Sequence, residues 1–112
     1  MAHFEASEPH QCADGSRLIR LSGDLDTKGA LGMERLLAEL IEKQMVRVTL
    51  DFEKVPFISS AGVGILLGIV SSLRDAGGEV VFTKISPKVR SVFRLLNLED
   101  YFTIKDPVET SV

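Results

Sequence analysis

The chain has one cysteine, no tryptophan, one tyrosine and four prolines among its 112 residues. A single thiol, Cys12, excludes an internal disulfide framework and fits a reducing compartment. Imidazole is as scarce: His3 and His10 are the only histidines, and with Cys12 they crowd the amino-terminal end without the paired spacing of a zinc site. No metal and no cofactor are therefore expected. The longest nearly apolar run, residues 61–70, is far below the roughly 20 residues that cross a bilayer. A basic segment leading into an apolar one is missing from the first residues, so no secretory leader is expected and the cytoplasm is the expected location. Positive charge is also in deficit, with 13 Lys and Arg against 16 Asp and Glu, a net charge of −3. That balance gives direct nucleic-acid binding no electrostatic support.

What is present suffices for one domain with its own core. A single domain is expected over residues 1–112, with its core at 4–104 and a flexible tail at 105–112. Asp14-Gly15 is a hairpin turn signal that separates a weak first strand around residues 4–11 from a better one at 17–23. Asp26 or Thr27 can cap a helix running to about Lys43, with Met33, Leu36, Leu37, Leu40 and Ile41 as its buried stripe. Arg35–Glu39 and Glu39–Lys43 are expected as i,i+4 pairs on its wet side. Val46, Val48, Leu50 and Phe52 alternate with Arg47, Thr49 and Asp51, the period-2 pattern of a strand with one face less covered. A second helix follows to about Ala76 and stops at Gly77-Gly78, and residues 79–83 form another strand. Ser86-Pro87 then opens a third helix with Val89, Val92, Phe93 and Leu96 on one face, and residues 101–104 close the sheet. The order β-β-α-β-α-β-α-β predicts an α/β fold with a mostly parallel mixed sheet.

The most informative stretch joins the third strand of this order to the second helix, Val55-Pro56-Phe57-Ile58-Ser59-Ser60-Ala61-Gly62-Val63-Gly64. Serine is a preferred N-cap, and a helix amino end tolerates an anion, so a hydroxyl there is a good place to add or remove a phosphate. Capping alone would also account for a serine at this point. Other chemistries fit poorly. Ser60 lacks the flanking glycines of a nucleophile elbow, and no histidine follows it to serve as a base. Gly62, Gly64 and Gly68 lack the Lys-Ser/Thr ending of a phosphate-binding loop, which leaves close packing of the helix against the sheet as their reading. Lys84, Lys88, Arg90 and Arg94 read as a solvated face of the third helix or as a docking patch. An independent enzyme is not expected.

Gly23-Asp24-Leu25-Asp26, Val48-Thr49-Leu50-Asp51-Phe52 and residues 57–66 together resemble the STAS domain, and most closely its stand-alone bacterial anti-sigma factor antagonists. Gly77-Gly78-Glu79-Val80-Val81 and Ile85-Ser86-Pro87-Lys88-Val89 extend the likeness, so that it covers residues 18–101. The resemblance implies partner exchange. An anti-sigma factor that is also a serine/threonine kinase would bind the unphosphorylated antagonist and free its sigma factor. Phosphorylation of a serine at the start of the second helix would end that binding, and a serine phosphatase would restore it. Aligned through Phe57 and Gly62, the acceptor falls on Ser60, and an acidic residue near it falls on Asp26. Asp26, Ser59, Ser60, Ala61, Gly62 and Gly64 are then the expected partner-binding residues. Ser59 stands where these antagonists commonly carry Asp and is a rival acceptor, and Ala61 stands where Ser or Thr is frequent. Two other roles fit the sequence: a STAS subunit of a lipid-transporting ABC complex or signalling scaffold, and a nucleotide- or small-ligand-binding module.

Overall fold

The computed structural model describes residues 4–105; the expected tail beyond Lys105, and His3, lie outside them. Nine elements follow in order: β1 (Glu5–Ala6), β2 (His10–Gln11), β3 (Arg17–Ser22), α1 (Thr27–Glu42), β4 (Arg47–Lys54), α2 (Ser60–Asp75), β5 (Glu79–Thr83), α3 (Pro87–Leu95) and β6 (Thr103–Lys105). The sheet order is β1-β3-β4-β5-β6, with β2 paired to β3 as well. β1 and β2 run antiparallel to β3, and the remaining pairs are parallel. This is the α/β architecture read from the sequence, with one difference at the edge. The expected first strand is two short ones, because Pro9 brings no N–H and the Ser7 hydroxyl, rather than a carbonyl, accepts the Arg20 N–H at 2.9 Å. The hairpin between β2 and β3 turns at Gly15, whose φ of +87° only glycine adopts freely.

Each crossover advances the chain by one strand. With the usual right-handed connection, that places all three helices on one face of the sheet. Val48, Leu50 and Phe52 of β4 and Val80 and Phe82 of β5 are buried under them, while Arg47 and Glu53 point out of the opposite face. Phe82 is the centre of the aromatic core, stacked on Phe102 at 4.7 Å and edge-on to Phe93 at 5.9 Å. Met33, Leu37 and Leu40 are fully buried along α1, and Leu36 and Ile41 pack at the margin. Leu96, expected on the buried face of α3, is 48% exposed because it is the C-cap and the helix has already ended.

The expected pairs on α1 do not close. Arg precedes Glu in the first, the weaker orientation, and Lys43 of the second is the C-cap, outside helical geometry. Left-handed residues end all three helices, Gln44, Gly77 and Asn97, each followed by an amide bonded back to the helix: Met45 N–H to Leu40 O, Gly78 N–H to Leu73 O and Leu98 N–H to Phe93 O, all 2.8 Å. Among the described residues no helix is long and apolar enough to cross a membrane.

Candidate functional site

Two chain segments leave the carboxyl end of the sheet together, one from β3 and one from β4. They are joined by an isolated parallel bridge between Leu25 and Ile58. Leu25 N–H donates to Phe57 O at 2.9 Å, and Ser59 N–H donates to Leu25 O at 3.1 Å. Leu25 and Ile58 are buried, so the clamp is apolar as well as hydrogen-bonded. The residue after each is an N-cap. The Asp26 carboxylate accepts from Gly29 N–H at 3.0 Å, and the Ser59 hydroxyl accepts from Gly62 N–H at 3.0 Å. Two helices therefore begin side by side at one end of the sheet, and their unpaired amides give that end a shared positive potential.

The two adjacent serines have different situations. Ser59 is half-buried and its oxygen is committed to the cap. Ser60 is the first residue of α2, exposed, with no hydrogen bond to its hydroxyl among the described residues. Of the other expected contact residues, Ala61 and Gly64 are exposed, Asp26 is half-buried beside the bridge, and Gly62 is buried. A Cβ on Gly62 would stand 2.4 Å from Leu25 O, so this glycine positions the helix start and offers no surface. The packing reading of the glycines holds there only. A Cβ on Gly64 or Gly68 would meet nothing within 4 Å, and both face solvent. Ser60, Gly64, Gly68 and Ser72 thus form one exposed ridge of small residues at i,i+4 spacing.

Phe57 is 45% exposed beside this junction and was missed as a surface residue by the sequence reading. The available signal was Pro56, which cannot sit inside a strand, so that the alternation of β4, already ended at Lys54, does not extend to Phe57. The basic group on and before α3 is largely spoken for. Lys84 lies 3.7 Å from both Asp51 and Glu53, and Arg90 and Arg94 converge on Glu99 at 2.8 and 3.3 Å. Hydrogen bonds from Arg90 and then Arg94 hold the Glu99 carboxyl below its ordinary range. Among the described residues no three His, Cys, Asp or Glu side chains converge as metal ligands.

A profile of the STAS domain family matches residues 8–111. BtrV of Bordetella bronchiseptica, a candidate anti-sigma factor antagonist, is 32% identical over 98 residues, which is 88% of this chain and 84% of that protein. The anti-sigma F factor antagonist of Paenibacillus polymyxa is 30% identical over 91 residues, 80% of this chain and 75% of that protein. Among solved structures, an anti-sigma factor antagonist from Mycobacterium paratuberculosis superposes with a TM-score of 0.79 at 20% identity, covering 96% of this chain and 89% of that one. Phosphorylated SpoIIAA from Bacillus superposes with a TM-score of 0.71 at 24% identity, covering 97% and 95%.

Proposed function

The chain belongs to the STAS domain family, and on that premise we propose that it is an anti-sigma factor antagonist, a binding protein and not a catalyst, switched by phosphorylation of Ser60. Its unphosphorylated form binds an anti-sigma factor with serine/threonine kinase activity and so releases a sigma factor. The kinase transfers the γ-phosphoryl group of ATP to the Ser60 oxygen, ADP leaves, and the hydroxyl proton passes to the kinase. A serine phosphatase reverses the step by hydrolysis. The protein acts in the cytoplasm.

The observation that carries this reading is the division of labour between the serines. Ser59 holds the helix start, which leaves the exposed Ser60 hydroxyl unbonded among the described residues and able to change its charge without unmaking the cap. A phosphate adds about −1.5 to −2 charges at neutral pH. The helix amino end stabilises an anion there by up to about 2 kcal/mol, so the fold accepts it. A partner surface fitted closely to Ala61 and Gly64 does not: like charges brought together cost several kcal/mol, and about 1.4 kcal/mol is tenfold in affinity. Mass spectrometry after incubation with the anti-sigma kinase and Mg-ATP tests the assignment. Phosphate on Ser60 alone is expected; phosphate on Ser59, or on neither serine, overturns it.

A further inference from the structure

A second surface lies on the other flank of α1. Between β1 and α1 runs an open groove of about 620 Å³. Phe4, Ala6, Met33 and Leu36 make its apolar floor, and Leu31 stands at its lip, 46% exposed. Phe4 is seated directly on Gly29, where a Cβ would come within 2.7 Å of the ring. Gly32 has no such reason: a Cβ there would meet nothing within 4 Å, although a glycine in a helix interior costs about 1 kcal/mol relative to alanine. The groove therefore holds space that the described residues do not fill.

Its rim carries more positive than negative charge. Lys28 and Arg35 both line the groove, and Glu5 is the one acid among the lining residues. Both cations are exposed, and neither has an ion-pair partner among the described residues. They are seven residues apart on α1, about 10 Å along its axis. We propose that this groove docks an acidic amphipathic helix of a protein partner, its apolar stripe on Phe4, Leu31 and Leu36 and two carboxylates a heptad apart on Lys28 and Arg35. Two cations at helical spacing match a helix face better than the single carboxylate of an acyl chain. The groove faces β1, whereas α2 packs on the opposite flank of α1 through Leu37, Ile41 and Ile69. The groove meets the Ser60 end of the sheet only at the first turn of α1, where Asp26 caps Gly29, and the proposal does not rest on the phosphorylation reading.

Fluorescence anisotropy of the full chain tests it with two labelled synthetic helical peptides, each with a leucine stripe flanked by Glu in one and by Lys in the other. The Glu peptide is expected to bind at least about tenfold more tightly than the Lys peptide, with the advantage lost in the Lys28→Glu/Arg35→Glu variant. Gly32→Leu is expected to fill the groove and lower affinity by a similar factor while the protein melts at an unchanged or higher temperature. Equal binding of both peptides, or binding indifferent to Gly32→Leu, overturns the proposal. So does displacement of the peptide by equimolar laurate, or a dimer in sedimentation that Gly32→Leu abolishes, since these identify an acyl chain or a second copy as the occupant.

Discussion

The carbonyl oxygen of Leu25 occupies the place where any side chain on Gly62 would begin, 2.4 Å from the position of a Cβ. Leu25 O is not free to withdraw, because it also accepts the Ser59 N–H at 3.1 Å. The contact thus ties the start of α2 to the loop that starts α1.

Gly62→Ala is accordingly expected to destabilise the fold by about 1–3 kcal/mol, the usual range for overpacking a tight site. Urea denaturation measures this as a lower midpoint at unchanged slope. Phosphorylation of Ser60 in the folded fraction should slow as well, because the shift falls on the bridge between Leu25 and Ile58. A variant as stable as the parent would show that the two loops separate easily.

The two serines should dissociate stability from switching. Ser59→Ala removes the cap on Gly62 N–H and is expected to cost about 0.5–2 kcal/mol while leaving an acceptor at residue 60. Ser60→Ala should melt like the parent, bind the anti-sigma factor, and take no phosphate. Ser60→Asp should bind at least about tenfold more weakly, since a like-charge clash costs more than 1.4 kcal/mol. Thermal melts and a pull-down with the kinase distinguish these outcomes, and wild-type binding by Ser60→Asp removes the charge mechanism.

Much of this arrangement was legible in residue order, because caps and turns are local. Asp26 or Thr27, the Ser59-Ser60 pair and Ser86-Pro87 each announce a helix start by a side chain that reaches only three residues ahead, and the structure gives the caps to Asp26, Ser59 and Ser86. Asp14-Gly15 is a turn for the same kind of reason. The direction of a glycine is not local. Gly62 and Gly64 look alike in sequence, yet a 200° turn of the helix sends one against Leu25 and the other into solvent. The basic group of α3 could not be assigned either, since its partner Glu99 is delivered by the left-handed turn at Asn97 and the chain reversal after it.

Acid should expose that last tie. Glu99 is held below its ordinary carboxylate value of 4.5 by the hydrogen bonds of Arg90 and Arg94. Its folded-state pKa is lower than its unfolded one, so its contribution is complete above the unfolded value and disappears as pH falls through the folded one. Glu99→Gln is therefore expected to lower the melting temperature at pH 7 and to converge on the parent as pH falls from 4.5 through the lowered folded-state value. A constant difference across that range would mean that the side chain acts by packing.

Gly64→Ala separates what the fold needs from what a partner needs. Residue 64 is inside α2, exposed, and surrounded by open space, so alanine relieves the conformational cost of glycine and adds no clash. Stability should rise by about 0.5–1 kcal/mol. Nothing among the described residues explains why a residue that weakens the helix sits there, one turn beyond Ser60 on the same ridge. If a partner lies against that ridge, the added methyl should hold it away and weaken binding even as the protein itself becomes harder to melt. Paired measurements of unfolding and of affinity on one variant are needed, because opposite signs are the signature of a surface kept small for a partner. A gain in both would place the partner elsewhere on the protein, while a loss in both would show that the helix requires glycine for its own sake.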